Sequence, residues 1–315
     1  LKLRCRFDSC RGRQNFVFFM RILHFGDIHF WRLQLDRDFY YPKRVLGMAN
    51  LALRRRHRFP QQLALDVMAG IAGEDADMVL FSGDMTTMSL EGEFRDAARA
   101  FAPLYEKWGE RLVVIAGNHD RYSPRSVRLK YFEKHFPRAA LPEGRRVFSR
   151  QFGDHVSVVG FDASRPFMVR SNGLFDDKLE QELNRELEAA SEVGRQVLLM
   201  GHFPYSYPGE YPGKWHHRLL REEALTEVIA RHQPVAYLHG HKHVRWCLRD
   251  ERCPRTLCLN CGPAGMSSGF ADSHAGWVTF ELSEDGAVTE LNKVSISPAG
   301  ELRHEAVDIP PVFPG

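Results

Sequence analysis

The chain has 315 residues and a formal net charge of +3, with 43% hydrophobic and 26% charged residues. These values are typical of a globular protein and argue against disorder, collagen-like repeats and a coiled coil. No run of about 18 apolar residues is present, which argues against a transmembrane span.

Residues 1–19 form a basic segment that ends just before Met20 and the first predicted strand. The segment has no long apolar stretch and no small-residue cleavage site, so it does not resemble a secretory signal. We expect residues 1–19 to be a non-native or disordered extension, residues 20–300 to form one domain, and residues 301–315 to form a C-terminal tail. Without the extension the chain is slightly acidic, so its charge gives no argument for nucleic acid binding.

Short apolar runs alternate with helical patterns along the rest of the chain. The expected strands are residues 21–26, 78–82, 112–116, 156–161, 197–201, 235–239, 256–260, 277–282 and 288–294. The expected helices are residues 61–73, 91–107, 124–135, 176–193 and 219–231. This alternation predicts an α/β layered fold, and the strand-rich last third predicts a mixed sheet.

A short polar cluster follows five of the predicted strands. The clusters are Gly26-Asp27-Ile28-His29, Gly83-Asp84, Gly117-Asn118-His119-Asp120, Gly201-His202 and Gly240-His241-Lys242-His243. Because ligands bind outside the carboxyl ends of strands in open α/β sheets, these clusters predict one shared site. A single Gly-Asp is commonly only a turn, but all five clusters together argue against chance.

The side chains of these clusters predict a metal site. Carboxylate, amide and imidazole ligands suit Mn, Fe or Zn, and the absence of thiolates argues against a structural zinc-thiolate site. Seven ligands are too many for one tetrahedral ion but enough for two ions with a bridging carboxylate, an arrangement that supports phosphoryl displacement. The candidate ligands are Asp27, His29, Asp84, Asn118, His202, His241 and His243.

The motif series resembles the calcineurin-like metallophosphoesterase superfamily from Asp27 to His243, without a broken motif. The resemblance implies a four-layer α-β-β-α sandwich with mixed β-sheets, the metallo-dependent phosphatase fold, with two divalent metal ions at one edge. It assigns the ligands of the first metal as Asp27, His29 and His243, and those of the second as Asn118, His202 and His241, with Asp84 bridging.

The same resemblance implies catalytic roles for His119 and Asp120. His119 would face the leaving-group oxygen as a general acid, or stabilise charge on the phosphoryl group. Asp120 would either orient His119 or only cap the next helix. The implied reaction is phosphodiester hydrolysis, with a metal-bridging hydroxide attacking phosphorus. A nuclease, a phosphomonoesterase or pyrophosphatase, and a non-catalytic scaffold protein are the alternatives.

The residues around the motifs narrow the branch of the superfamily. Motif two continues as Met85-Thr86-Thr87, without the Val-Asp-Arg-Gly sequence of phosphoprotein phosphatases, and motif three ends in Asp120 rather than Glu. Thr87 stands where purple acid phosphatases have Tyr. The series is most similar to the cyclic-nucleotide phosphodiesterase-like branch, whose members act on varied substrates.

Two regions are candidates for substrate selection. Residues 31–60 hold eight basic and two acidic side chains with amphipathic helical spacing. One interpretation is a lid or docking face that binds a phosphorylated or lipid-headgroup substrate, or a contact with a membrane surface. The favoured interpretation is a helix packed on the core. Nucleic acid is a possible partner but is not favoured, because only this segment could supply a basic track. The aromatic side chains of loop 203–218 either stack on a base or sugar of the substrate or only pack to close the loop.

Four cysteines cluster late in the chain. Cys258 and Cys261 form a C-x-x-C motif, but no second such motif is present to complete a four-cysteine zinc site. The spacing therefore gives only weak support for structural zinc. Free buried thiols on a hairpin are favoured, which predicts a reducing, cytoplasmic location.

Overall fold

The computed structural model describes residues 4–8, 15–34, 37, 41–209, 215–267, 274–297 and 300–312. The strands, in chain order, are β1 Arg4–Asp8, β2 Asn15–Phe25, β3 Met78–Phe81, β4 Leu112–Val114, β5 Val147–Phe152, β6 Val156–Phe161, β7 Gly173–Leu174, β8 Gln196–Met200, β9 Leu219–Leu220, β10 Ala236–His239, β11 Arg245–Asp250, β12 Cys253–Cys261, β13 Gly276–Ser283, β14 Val288–Ile296 and β15 Leu302–Ala306.

The helices are α1 Pro42–Asn50, α2 Arg56–Arg58, α3 Gln61–Gly73, α4 Glu91–Trp108, α5 Pro124–Arg128, α6 Tyr131–His135, α7 Asp177–Glu192 and α8 Glu222–His232. A π-helical turn, Leu51–Arg55, joins α1 to α2. Short 3₁₀ turns lie at Gly109–Arg111, Pro137–Ala139 and Trp215–His217.

The strands form two large mixed sheets and one small ribbon. The first sheet has the order β15-β14-β13-β2-β3-β4, with β1 also paired to β2. The second has the order β11-β12-β10-β8-β6-β5, and β7 pairs with β9. Strands β2, β3 and β4 run parallel, and so do β6, β8, β10 and β12, so the carboxyl ends within each set share one edge.

Three apolar clusters define four layers. One cluster lies between the two sheets and joins residues such as Ile22 and Leu80 to Leu198 and Leu238. A second packs the outer face of the first sheet against α3 and α4, and a third packs the outer face of the second sheet against α7 and α8. Apolar side chains alternate between the two faces of each strand because the side-chain period of a strand is two. The predicted four-layer α-β-β-α sandwich with mixed β-sheets is therefore confirmed.

Several elements differ from the sequence-based expectation. The predicted helix over 124–135 is two helices, because Lys130 adopts a left-handed conformation with φ of 50°. Strands β5 and β11 were not expected, since their outward faces are polar or only half-buried. Strand β15 pairs with β14, so the sheet continues past the boundary expected at residue 300.

The N-terminal segment also differs from a disordered extension where the structure describes it. Strand β1 pairs antiparallel with the first half of β2, which begins at Asn15 rather than at residue 21. Residues 1–3 and 9–14 lie outside the described residues. That residues 1–19 are not part of the native protein stays a prediction.

Candidate metal centre

The polar clusters follow the carboxyl ends of β2, β3, β4, β8 and β10. Five of their side chains sit on backbone with positive φ: Asp27 (54°), His29 (56°), Asp84 (63°), His241 (74°) and His243 (56°). This region is uncommon for residues other than glycine, and such strain concentrates at functional sites. The turns bend the chain sharply, so that each side chain points back across the sheet edge.

Two groups of ligand atoms meet at this edge. Oxygen and nitrogen atoms of Asp27, His29, Asp84 and His243 all lie within 4.8 Å of one another, and so do those of Asp84, His202 and His241. Asp84 belongs to both groups. Asn118 joins the second group, because its Oδ1 lies 3.0 Å from His202 Nε2 and 2.9 Å from His241 Nδ1. The structure thus brings all seven predicted ligand residues together.

Backbone carbonyls orient three of the imidazole rings. His29 Nδ1 lies 3.1 Å from the Thr86 carbonyl, and His202 Nδ1 lies 2.8 Å from the Ser82 carbonyl. His241 Nε2 lies 2.7 Å from the His217 carbonyl. A carbonyl can only accept, so each of these nitrogens donates, and the other nitrogen of each neutral ring presents a lone pair to the centre.

The inward-facing atoms fit divalent cations. His29 Nε2 lies 3.0 Å from His243 Nε2, and the second group likewise sets a lone pair against an amide oxygen. Oδ1 of Asp27 and Oδ2 of Asp84 are buried and have no hydrogen-bond partner among the described residues. Facing lone pairs and unpaired buried carboxylate oxygens cost free energy, which cations between them would relieve. The mixed nitrogen and oxygen set suits first-row ions.

The electrostatics of the centre are those of a cation site. Burial opposes ionisation of Asp84, but His202 and His119 outweigh it and hold the pKa of Asp84 well below its ordinary value. Burial also disfavours a charged His202, but the Asp84 carboxylate 3.3 Å away raises the pKa of His202 to about 9. A positive charge is therefore stabilised between these two side chains, and a metal ion can take the place of the proton.

His119 stands beside the two groups rather than in them. Its Nδ1 donates to the Thr87 carbonyl over 2.6 Å, and its backbone N–H donates to Asp84 Oδ1 over 2.7 Å. Burial and the neighbouring Arg55 hold the pKa of His119 well below its usual value. The ring is held from two sides and lines the open cavity above the centre.

Asp120 differs from both roles expected for it. Its carboxylate accepts hydrogen bonds from the backbone N–H groups of Asp84, Thr86 and Gly117, each over 2.9 Å. The cap of the next helix is instead Ser123, whose Oγ accepts from Ser126 N. Thr87, not Asp120, orients His119. Asp120 therefore holds the turn that carries Asp84. A catalytic role for Asp120 stays a prediction.

Arg55 is a site residue that the sequence did not single out. Its Nη1 lies 3.2 Å from His119 Nε2, and its Nη2 lies 3.2 Å from His29 Nε2. Burial lowers the pKa of Arg55, and the nearby Asp84 carboxylate opposes this shift. The π-helical turn, in which Arg56 N–H donates to the Leu51 carbonyl, ends at Arg55. The basic run at 54–58 indicated a charge, but not which arginine turns inward.

An open cavity of about 800 Å³ lies over the centre. The π-helical turn and α2 form one wall, where Arg54, Arg58 and Phe59 line it. Ser171, His217 and Lys242 line a second wall, where the His217 carbonyl contacts His241 of the second ligand group. The metal-ligand edge thus forms the floor of a pocket. Among the described residues, the charged side chains that line its walls are basic.

The second candidate region, 203–218, divides between core and cavity. Tyr205 is buried and packs on Tyr237, with ring centroids 5.3 Å apart, so this aromatic seals the loop. Trp215 is exposed, and Tyr211 lies outside the described residues.

The cysteines agree with the favoured interpretation of free buried thiols. Cys258 and Cys261 lie on opposite faces of β12, in different apolar clusters, and their thiols are free.

A comparison with known protein families identifies the family of this chain. The family model for calcineurin-like phosphoesterases matches residues 20–245. The chain belongs to the calcineurin-like phosphoesterase family. The resemblance seen in the motifs is therefore confirmed, and with it the class of enzyme: a metal-dependent phosphoester hydrolase.

Solved structures share the fold of this phosphoesterase at low sequence identity. A dimetal phosphatase from Danio rerio is 15% identical with a TM-score of 0.59, and the match covers 87% of this chain and 94% of that one. GAP50, the anchor in the inner membrane complex of Plasmodium, is 13% identical with a TM-score of 0.50, covering 93% and 89%. Among curated protein sequences, none matches this chain significantly. No helix within the described ranges is long and apolar enough to cross a membrane.

Proposed function

We propose that this phosphoesterase is a dinuclear phosphodiesterase that binds Mn, Fe or Zn. The observation that carries the proposal is the double membership of Asp84, whose carboxylate belongs to both groups of ligand atoms. Asp27, His29 and His243 would hold one ion, and Asn118, His202 and His241 the other. Asp27 Oδ2 also accepts from His241 N over 2.8 Å, so the two halves of the centre are tied together.

Two divalent ions at these residues would supply an activated water and neutralise charge on the phosphoryl oxygens. The chain's own residues orient the substrate. The Arg55 guanidinium offers planar paired donors to a phosphoryl oxygen. His119 presents Nε2 for proton exchange with the leaving-group oxygen, or for contact with the phosphoryl group. In the reaction one water is consumed, the P–O bond to the alcohol breaks, and the alcohol leaves with a proton.

The volume of the cavity supports a diester over a monoester. A diester carries two organic arms, and the open cavity of about 800 Å³ is larger than a phosphate monoester requires. The basic groups Arg54, Arg58 and Lys242 favour further negative charge on at least one arm. The proposal also includes three further points. The enzyme would belong to the cyclic-nucleotide phosphodiesterase-like branch, act in the cytoplasm, and contact a membrane through residues 31–60. Nucleic acid remains the less favoured substrate.

Hydrolysis of bis-p-nitrophenyl phosphate and of p-nitrophenyl phosphate, measured side by side with Mn²⁺, tests the proposal. Asp84→Asn and His119→Ala are expected to abolish diester turnover or reduce it by about 10²-fold or more. Asp154→Asn and His155→Ala are matched controls, because both residues are exposed in the turn between β5 and β6, away from the carboxyl strand ends.

Diester turnover that depends on Asp84 and His119, and is unchanged in the controls, supports the phosphodiesterase. Turnover of the monoester alone would replace it with a phosphatase. Absence of both activities with Mn²⁺, Fe²⁺ and Zn²⁺ would favour a non-catalytic scaffold protein.

A further inference from the structure

Large exposed apolar side chains concentrate around the mouth of the cavity. On one side, Leu46 and Leu53 are 60% and 75% exposed. Asn50, which lines the cavity, is four residues after Leu46 and three before Leu53. Leu46 and Asn50 are four residues apart in α1 and share one helix face, and Leu53 directly precedes Arg54, which also lines the cavity, so both leucines lie beside the cavity.

The second wall of the cavity carries another apolar group. Met168, Val169 and Trp215 are 63%, 66% and 65% exposed. They belong to this wall because Ser171 and His217 line the cavity, and because Asn172 Nδ2 donates to the Trp215 carbonyl. Exposed apolar residues scattered singly are ordinary, but two groups that lie beside the same cavity indicate a contact surface.

The charged residues of both walls are of one sign. Residues 41–60 contain no acidic residue and six basic ones, of which Lys43 and Arg44 are buried, and residues 165–171 contain two basic residues and none acidic. Arg54, Arg56 and Arg58 are exposed beside Leu53, and the Arg170 guanidinium lies 4.6 Å from the centroid of the Trp215 ring. Apolar side chains interleaved with arginines, and a tryptophan among them, match the chemistry of an anionic lipid surface.

We infer that the mouth of the cavity docks on an anionic membrane surface and that the enzyme hydrolyses a lipid-linked phosphodiester there. The substrate part of the inference rests on the proposed function. The apolar rims of both walls would enter the headgroup region, and the arginines would contact lipid phosphates. The phosphodiester would then reach the floor of the cavity without leaving the bilayer surface.

Two measurements separate docking from catalysis. The first is co-sedimentation of the full chain with vesicles of phosphatidylcholine, alone or mixed with phosphatidylglycerol. The mixed vesicles are expected to bind, and Leu46→Ser with Leu53→Ser is expected to weaken binding about tenfold or more. Arg56→Gln is expected to weaken it about fivefold. The matched controls are Leu65→Ser with Val193→Ser, and Arg99→Gln, which replace exposed residues on other surfaces.

The second measurement compares turnover of hexadecyl p-nitrophenyl phosphate in mixed vesicles with that of soluble methyl p-nitrophenyl phosphate. The double leucine variant is expected to lose the preference for the hexadecyl ester and to keep the rate on the methyl ester. Absence of turnover of both esters overturns the proposed function, while vesicle binding still tests docking. Binding that survives in the leucine variant, or that falls equally in the control, overturns the inference. A dimer that the leucine variant dissociates would make this face an interface between copies and would also overturn it.

Discussion

The Arg55 guanidinium bridges two imidazoles, with Nη1 3.2 Å from His119 Nε2 and Nη2 3.2 Å from His29 Nε2. This contact joins the π-helical turn, which belongs to the cavity wall, to the metal-ligand edge. Arg55 is half-buried and lines the cavity, so its positive charge is accessible from the cavity.

We expect Arg55→Lys to lower kcat/KM for bis-p-nitrophenyl phosphate by about 10- to 100-fold, because lysine replaces a planar pair of donors with a single point charge. Metal content is expected to stay unchanged, since Arg55 is not a ligand. Arg56→Lys, on an exposed neighbour, is the control and is expected to retain full activity. Equal activity of both variants would remove Arg55 from the substrate site.

Gly117 allows the third motif to approach Asp84. A Cβ at this position would lie 2.2 Å from Asp84 Oδ1, a distance that no real contact allows. We expect Gly117→Ala to displace the Asp84 side chain and to reduce both metal content and diester turnover. Gly73→Ala is the control, because a Cβ there meets nothing within 4 Å. Normal metal content in Gly117→Ala would contradict the assigned contact.

The five motif clusters could be predicted because each follows an apolar strand, and the carboxyl ends of parallel strands meet at one edge. Arg55 could not, since a π-helical turn leaves no mark in the spacing of apolar residues. The contacts of Asp120 could not be predicted from the motif either, because a carboxylate that accepts from four backbone N–H groups looks the same in sequence as one that orients a histidine. Strand β15 was missed because its five residues are exposed or half-buried and carry no apolar alternation.

Asp120→Asn tests the structural role of this carboxylate. An amide keeps one acceptor oxygen but sets a donor against backbone N–H groups that now donate to Asp120. We expect the free energy of unfolding to fall by about 1–3 kcal/mol and metal affinity to weaken, as measured by urea unfolding and metal titration. Asp154→Asn is the exposed control. Unchanged stability, together with loss of turnover alone, would support a catalytic role for Asp120.

His24 predicts acid sensitivity of the fold. It is buried, and neither ring nitrogen has a hydrogen-bond partner in the part of the chain that the structure describes. Burial and, to a smaller extent, the nearby His239 lower its pKa from 6.5 to about 3. The unfolded chain takes up a proton below pH 6.5 and the folded chain does not, so stability falls as the pH drops towards 3. Between pH 7 and pH 5 this one group costs about 2 kcal/mol.

We therefore expect His24→Leu to lose less stability than the parent chain between pH 7 and pH 5, in urea unfolding with EDTA present to remove metal. His155→Leu replaces an exposed histidine and is expected to follow the parent chain. The same pH dependence in His24→Leu and the parent would show that His24 does not carry this sensitivity.

The most direct test of the dinuclear centre is the number of metal ions bound per chain. Protein stripped with EDTA is titrated with Mn²⁺, and bound metal is measured by elemental analysis beside diester turnover. Two ions per chain are expected for the parent and for Asp154→Asn, with fewer than one for Asp84→Asn, because both groups lose their shared carboxylate. A parent chain that reaches full turnover with one ion, or an Asp84→Asn variant that still binds two, would contradict the bridging role of Asp84.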